Sequence, residues 1–358
     1  IMTPQPISVC ADTSLADVLY LLDRYQLSRL PVTEGYKLLG IITRSDIIKA
    51  EANQLNYDCQ HQPRSHPSYV VYQTRSPATG KGRILLPVGN PDNLNGLLKI
   101  AEAIAKYHQY EIEFIRVIEV ARHIYPAQAI VATEPIRQSM EELESWGERL
   151  AIPVHTQVRV ATDIGEAISE VINREHIDLL LMGWKGNSGI ESIFGNVVDY
   201  LIKEASCSLM LVKLGKSAHA FPQQLQLRHR WLIPTTGGDR INKLLEILNP
   251  LGTLDHIPPK IQLCQVYPPE QPHASQVDFQ HAANLLQEHL HYPIVPLRIA
   301  AYSVSTTIIN LVKNKKYGLV ILGASNEGLL QSVVKGNIPE AIASRVDTTV
   351  IIFRSLNP

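Results

Sequence analysis

The chain has 358 residues, of which 45% are hydrophobic, and its formal net charge is −1. This length predicts two or three domains with sizeable cores, and the balanced charge gives no support for a nucleic-acid-binding protein. The four cysteines are far apart in sequence, which argues against a disulfide framework or a zinc site and indicates a reducing compartment. No apolar run approaches the roughly 20 residues of a membrane-spanning helix.

The first 52 residues predict a small unit of helices and strands. An amphipathic helix is expected after Thr13 or Ser14, either of which can act as its N-cap. Two short strands are expected over residues 28–32 and 38–42. A second helix is expected to start after Thr43.

The heptapeptide Gly40-Ile-Ile-Thr43-Arg-Ser-Asp46 resembles the end of a cystathionine-β-synthase-type (CBS) repeat. The family pattern is glycine, two hydrophobic residues, threonine, two further residues and aspartate. The resemblance implies that Gly40, Thr43 and Asp46 bind an adenine nucleotide, with the threonine near the phosphate and the aspartate on the ribose hydroxyls. The chemistry is reasonable, since a carboxylate accepts hydrogen bonds from vicinal hydroxyls and a helix N-terminus favours a phosphate.

An alternative role for Thr43 and Asp46 is to cap the second helix without binding a ligand. CBS repeats work in pairs and only one is visible here, so its partner is expected upstream or in a second chain. The chain also begins with Ile1 rather than Met. We therefore expect it to be a fragment of a longer protein.

Two longer stretches of the chain share one pattern of alternating strands and helices. Residues 53–82 are polar and proline-containing and are interpreted as a linker, residues 83–215 form the first copy, residues 216–229 a second linker, and residues 230–358 the second copy. Strands are expected at 83–88, 111–120, 153–161, 179–182 and 209–212, and again at 231–234, 261–267, 294–299, 319–322 and 350–353. Alternating strands and helices predict a parallel sheet covered on both faces.

A glycine loop follows the fourth strand of each copy. In the first copy Gly183 and Gly186 precede Gly195 and Asn196, where an amphipathic helix is expected to start. Glycines allow backbone N–H groups to approach an anion, and a helix N-terminus favours the same charge. The corresponding residues of the second copy are Gly323, Gly328, Gly336 and Asn337.

Both copies resemble universal stress protein domains, whose nucleotide-binding members carry the pattern G-x2-G-x9-G-(S/T). The resemblance implies nucleotide binding by Val88, Gly183, Gly186, Gly195 and Asn196 in the first copy. In the second copy it implies Gly323, Gly328, Gly336 and Asn337. The first copy departs from the pattern by a gap of eight residues and by Asn196, its first strand lacks the usual aspartate, and the second copy departs further.

Structural roles are the alternative for these residues: the glycines let the loop turn and the helix pack closely, and the asparagines cap helices. The predicted fold class is α/β, with two tandem doubly wound parallel-sheet domains after one α+β CBS repeat. This combination resembles the cytoplasmic C-terminal region of cyanobacterial ClC-type chloride channels or transporters.

The resemblance implies a cytoplasmic, non-enzymatic region that senses ATP, ADP or AMP, with Mg²⁺ only if ATP is bound. Its expected partners are the adenine nucleotide and a membrane transporter portion of the same chain, in a dimer, without nucleic acid. No catalytic or metal-binding residues are assigned. The alternatives are a soluble ATP-binding tandem universal stress protein and a ligand-free dimerisation platform.

Overall fold

The computed structural model describes residues 7–10, 13–34, 37–47, 68–77, 79–89, 91–184, 194–215, 229–236, 240–254, 257–273, 275–324 and 338–356. These residues form three parts of the protein. We call them the N-terminal unit (residues 7–47), the first α/β unit (residues 68–215) and the second α/β unit (residues 229–356).

The N-terminal unit packs a helix on a two-stranded antiparallel sheet. Helix α1 (Leu15–Arg24) begins at Ser14, whose hydroxyl accepts a hydrogen bond from the backbone of the first turn at 3.1 Å. Strand β1 (Arg29–Glu34) pairs with β2 (Lys37–Thr43), and residues 44–47 are helical. The core of this unit is small and consists of Val9, Val18, Leu22, Leu30 and Ile47.

The other strands of the described residues form one sheet of eleven strands. They are β3 (Tyr69–Thr74), β4 (Gly82–Pro87), β5 (Tyr110–Glu119), β6 (Val154–Ala161), β7 (Leu179–Gly183), β8 (Ser208–Lys213), β9 (Arg230–Pro234), β10 (Lys260–Tyr267), β11 (Ile294–Ala300), β12 (Leu319–Gly323) and β13 (Thr349–Arg354). Their order is β11-β10-β9-β12-β13-β8-β7-β4-β5-β6-β3. Each α/β unit thus contains five parallel strands in the doubly wound order 3-2-1-4-5, which confirms the predicted fold class.

Strand β3 lies within residues 53–82, the segment interpreted above as a linker. It pairs antiparallel with β6 and extends the sheet at the outer edge of the first α/β unit. Its sequence, Tyr-Val-Val-Tyr-Gln-Thr, has a high preference for extended structure. The Thr74 hydroxyl donates to a Glu144 carboxylate oxygen at 2.7 Å and lies 2.7 Å from the Thr156 hydroxyl. Side-chain hydrogen bonds therefore hold this strand in place in addition to the backbone hydrogen bonds of the sheet.

Eight helices of the described residues cover the two faces of the sheet. They are α2 (Pro91–His108), α3 (Glu134–Leu150), α4 (Ile164–Arg174), α5 (Asn196–Glu204), α6 (Arg240–Gly252), α7 (Gln276–His289), α8 (Val304–Lys315) and α9 (Ile338–Ala343). Helices α2, α3, α6 and α7 bury apolar side chains on one face, and α4, α5, α8 and α9 on the other. Each hydrophobic core therefore continues from one α/β unit into the other.

The two α/β units meet through their last strands. Strand β13 pairs antiparallel with β8, with Ile351 opposite Val212 and Ile352 opposite Leu211. All four of these side chains are buried. Because the units join antiparallel, the carboxyl ends of their parallel strands lie at opposite edges of the sheet.

A reciprocal pair of basic residues reinforces this junction. Arg354, the last residue of β13, is 2% exposed and donates to the carbonyl oxygens of Ile202, Ala205 and Cys207 at 2.8–3.0 Å, at the C-terminal end of α5. Lys213, the last residue of β8, donates to carbonyl oxygens at the C-terminal end of α9, those of Ala343 (2.6 Å), the last residue of the helix, and of Val346. Each unit therefore satisfies the carbonyl groups at the end of the other unit's last helix.

Replacing Arg354 tests the importance of these contacts. Arg354→Leu should lower the free energy of unfolding by about 3 kcal/mol, because three buried carbonyl groups lose their charged donor. Urea denaturation of the full chain measures this change. The exposed Arg345→Leu is the matched control and should change stability by less than about 0.5 kcal/mol. Equal effects of the two substitutions would contradict the proposed role of Arg354.

Candidate functional site

The candidate nucleotide residues of the N-terminal unit lie where β2 passes into a helix. The Asp46 carboxylate accepts hydrogen bonds from the Thr43 N–H at 3.0 Å and from the Thr43 hydroxyl at 2.7 Å. The Thr43 hydroxyl accepts in turn from the Asp46 N–H at 3.4 Å. Gly40 lies within β2, and an added Cβ there would meet no heavy atom of the described residues within 4 Å. The sequence motif is thus brought together, in a geometry that also caps the helix.

This loop is connected to helix α1 through Arg44. The Arg44 guanidinium donates to the Asp23 carboxylate at 2.9 Å and to the Leu22 carbonyl oxygen at 3.2 Å. The other oxygen of Asp23 lies 2.6 Å from Arg75, which follows β3 in the first α/β unit. Asp23 therefore links the Thr43–Asp46 loop to the neighbouring unit.

Arg75 leads into a partly buried set of charges that we call the junction network. Its buried members are Arg83, Glu111, Glu113, His155 and Glu175, and its more exposed members are Asp23, Arg24 and Arg75. Arg75 binds both oxygens of Glu175, at 3.0 and 2.7 Å. Arg83 donates to Glu175 at 3.3 Å and to Glu111 at 3.1 Å. Arg24 of helix α1 reaches the same Glu111 oxygen at 3.3 Å. Two pairs of opposite charge, Arg75 with Asp23 and Arg24 with Glu111, therefore join the two units.

The surroundings of the three glutamates in the network shift their pKa values in different directions. Burial alone raises the pKa of Glu111, but hydrogen bonds from His155 and the Gly80 N–H and the charge of Arg83 outweigh it and hold the pKa at about 2. Burial and the nearby Glu175 raise the pKa of Glu113. Burial also raises the pKa of Glu175, but its hydrogen bonds with Arg75 and the arginine charges lower it overall. The network therefore depends on ionised Glu111 and Glu175.

Strands β4 and β7 part at the centre of the first α/β unit, towards their carboxyl ends. These two strands pair only at Ile84 with Leu179 and at Leu85 with Leu180. Beyond these pairs, the backbone of each strand forms hydrogen bonds with the strand on its other side. The Val88 N–H donates to the Ile115 carbonyl oxygen, and the Trp184 N–H to that of Val212, both at 2.8 Å. This is the switch point of the doubly wound sheet, where ligands bind in open α/β folds. We call it the first crevice.

The predicted residues of the first copy converge on this crevice as far as the structure describes them. Val88 directly follows β4 on one side, and Gly183 is the last residue of β7 on the other. Gly195 is the N-cap of α5 with φ +102°, a conformation that favours glycine, and Asn196 is the first residue of that helix. The capping alternative for Asn196 is therefore not realised, because Gly195 occupies the cap. Gly186 lies outside the described residues.

Two aromatic side chains at the first crevice were not singled out from the sequence. Trp184 directly follows β7, is 4% exposed and meets the Phe194 ring edge-on, with ring centroids 5.0 Å apart. Phe194 is also buried and precedes Gly195. A single buried aromatic residue after a strand has no sequence signal that distinguishes this position from ordinary core packing.

The second α/β unit repeats the crevice between β9 and β12, which keep register only over Trp231–Leu319 and Leu232–Val320. Thr235 and Ala324 then bond outward, to the carbonyl oxygens of Cys264 and Phe353. Gly323, which was expected in the loop after this strand, is the last residue of β12. The other predicted residues of this copy, Gly328, Gly336 and Asn337, lie outside the described residues.

Comparison with known families identifies two segments of the chain. Residues 81–213 match the profile of the universal stress protein family, and residues 1–53 match that of the CBS domain. The chain contains a CBS domain and a universal stress protein domain. Both resemblances inferred from sequence motifs are thereby confirmed for these segments.

One curated relative is the Na(+)/H(+) antiporter NhaS5 of Synechocystis, which is 21% identical over 283 residues. The alignment covers 75% of this chain and 38% of the antiporter, so the chain spans well under half of that relative. Among solved structures, a universal stress protein from Archaeoglobus fulgidus matches with a TM-score of 0.53 at 13% identity, over 76% of this chain and 96% of the other. The cytoplasmic domain of a prokaryotic cation chloride cotransporter matches with a TM-score of 0.53 at 12% identity, over 76% and 95%.

These structural matches establish the fold of more than one unit, because each covers about three quarters of the chain. Among the described residues, no helix combines the length and apolar character needed to cross a bilayer.

The junction network predicts a dependence of stability on pH. The pKa of Glu111 is about 2 in the folded protein, against an ordinary value of 4.5. Its contribution is therefore complete above about pH 4.5 and is lost as the pH falls towards 2, since the unfolded chain takes up the proton first. Glu111→Gln should cost about 3 kcal/mol at pH 7, and its difference from the wild type should shrink over this interval.

Urea denaturation between pH 7 and pH 2.5 measures this difference. The exposed Glu119→Gln on the same strand is the matched control and should keep a small, constant difference from the wild type. A stability gap for Glu111→Gln that stays constant over the whole pH range would contradict the role assigned to its carboxylate.

Proposed function

We propose that this chain is a cytoplasmic, non-catalytic regulatory region that binds an adenine nucleotide and acts on a membrane transporter. The observation that carries the proposal is the connection of the Thr43–Asp46 loop to the first α/β unit. Arg44 and Arg75 bind opposite oxygens of Asp23, at 2.9 and 2.6 Å. A ligand that displaces this loop therefore acts directly on contacts between the units.

The chemistry of the loop suits a nucleotide. Asp46 offers a carboxylate to ribose hydroxyls, and residues 44–47 offer a helix N-terminus to a phosphate. Because Asp46 also accepts from Thr43, a ribose has to compete with or share the internal hydrogen bonds. We therefore expect modest affinity and a rearrangement of the loop on binding, which a sensor requires.

The first crevice is the second nucleotide site that we propose. It has an open switch point, a glycine with positive φ at the start of α5 and a universal stress protein profile over residues 81–213. We assign ATP, ADP or AMP to these sites, with Mg²⁺ accompanying ATP. The second α/β unit, with the same strand order, is proposed as a second universal stress protein domain, and the assembly as a dimer.

Thermal unfolding of the chain with ATP, ADP and AMP, each with and without Mg²⁺, tests nucleotide binding. A nucleotide at about 100 times its dissociation constant should stabilise the unit that binds it by about 2.7 kcal/mol. Asp46→Asn should remove the part of this stabilisation that comes from nucleotide binding to the N-terminal unit, while keeping a hydrogen-bond acceptor for Thr43. The adjacent, exposed Ser45→Ala is the control and should retain the shift. No shift with any nucleotide would favour a ligand-free dimerisation platform.

Two transporter classes are candidates for the partner. The resemblance of the domain combination implies a ClC-type chloride channel or transporter, which we take as the first assignment. The 283-residue alignment with the antiporter NhaS5 favours a cation–proton antiporter as the second. In both readings the chain acts by binding one state of the transporter better than the other.

Reconstitution of the full-length protein in liposomes distinguishes these partners. A ClC-type protein should move ³⁶Cl⁻ without requiring Na⁺, whereas an antiporter should couple a Na⁺ gradient to a pH change inside the vesicles. In either case Asp46→Asn should reduce the response of transport to adenine nucleotide, and Ser45→Ala should not. Nucleotide-independent transport by the wild type would overturn the regulatory proposal.

A further inference from the structure

An arginine from β5 lies at the first crevice and has no role in the predicted site. The Arg116 guanidinium crosses to the end of β4, where one of its nitrogens, Nη1, donates to the carbonyl oxygens of Val88 and Gly89 at 2.7 and 2.8 Å. Its side chain is half-buried. Within the described part of the chain, no carboxylate forms an ion pair with it. Arg116 therefore places a positive charge at the switch point, held there by backbone atoms.

The second α/β unit provides an internal comparison for this position. The Val88 N–H donates to the Ile115 carbonyl oxygen, and the Thr235 N–H donates to that of Cys264, so these pairs are equivalent. The residue after Ile115 is Arg116, and the residue after Cys264 is Gln265. Gln265 is 3% exposed, and its amide donates to a backbone carbonyl oxygen and accepts from a neighbouring arginine. The two crevices have the same fold, but a cation occupies this position only in the first.

The start of helix α5 does not replace this charge. Asp199 lies in the first turn of α5, and its carboxylate accepts a hydrogen bond from the Phe194 N–H at 3.0 Å. A carboxylate there opposes the positive end of the helix dipole and disfavours an anion. Among the described residues at the first crevice, Arg116 is therefore the group that can attract a phosphate, through its donors other than Nη1.

We propose that Arg116 is an anion-binding residue of the first crevice and makes this unit selective for phosphorylated ligands over uncharged nucleosides. The second crevice carries the uncharged Gln265 at the equivalent position. The inference deepens the proposed nucleotide binding and rests on it for the identity of the ligand. The attraction for a phosphate group itself does not depend on which base is attached.

Isothermal titration calorimetry of the full chain in the Asp46→Asn background isolates the α/β units. The probes are ATP, adenosine and inorganic tripolyphosphate. Arg116→Gln, which copies the second unit, should weaken binding of ATP and tripolyphosphate about tenfold or more and leave adenosine within about twofold. Arg116→Lys should retain most of the affinity for both anions, because it keeps the charge. The exposed Arg122→Gln is the control and should bind all three probes like the parent.

The outcomes separate this inference from the proposed function. Unchanged ATP and tripolyphosphate affinity in Arg116→Gln would overturn the role of Arg116, even if ATP binds. An equal loss of adenosine affinity would also overturn it, because the arginine would then only hold the end of β4. Binding of tripolyphosphate but of neither ATP nor adenosine, abolished by Arg116→Gln, would support the inference and refute the adenine nucleotide. Absence of binding by all three probes would refute both for the α/β units.

Discussion

The antiparallel pairing of β8 with β13 is the constraint on which the arrangement of the two α/β units depends. It removes two apolar strand edges from water and lets both hydrophobic cores continue across the whole sheet. Lys213 and Arg354 then donate hydrogen bonds to carbonyl groups at the ends of α9 and α5, which would otherwise be buried without a donor. Because these contacts are mutual, loss of register between the strands would also expose the ends of both helices.

This pairing also decides where the two crevices lie. Parallel strands place a switch point at their carboxyl ends, and an antiparallel junction turns those ends to opposite edges of the sheet. The N-terminal unit contacts the first α/β unit near Arg83 and Glu111, at the amino ends of β4 and β5. The first crevice and the N-terminal unit are therefore at opposite ends of the same strands.

Much of the fold can be predicted from the sequence, because its strands are short buried runs and its helices are amphipathic. Leu179–Gly183 and Thr349–Arg354 are strongly apolar, and the repetition of strand, loop and helix predicts two doubly wound units. Sequence periodicity cannot identify which strands become neighbours across the two copies. Arg354 is an example. An arginine near the C-terminus is expected to be exposed to solvent, yet Arg354 is 2% exposed, because its hydrogen-bond partners lie at the end of a helix about 150 residues earlier.

The residues of the candidate sites also differ in whether they can be predicted from the sequence. The local motif at Thr43 and Asp46 could be recognised because its residues are three apart and interact with each other. The junction network could not, since Arg24, Arg75, Glu111 and Glu175 are spread over 150 residues and each resembles an ordinary surface charge. Arg116 was missed for a related reason, because its partners are backbone carbonyl groups of another strand, which leave no trace in the identity of neighbouring residues.

Strand β4 gives a physical basis for communication between the two proposed nucleotide sites. Arg83, near its amino end, belongs to the junction network, and Val88, just beyond its carboxyl end, borders the first crevice. The side chains of its central residues are fully buried, so this strand cannot absorb a displacement locally. A movement at either end of β4 instead displaces groups that are packed less tightly, which are the ion pairs of Asp23 with Arg44 and Arg75. Because these two pairs share one carboxylate, a change at Arg44 alters the contact of Asp23 with Arg75, which joins the N-terminal unit to the first α/β unit.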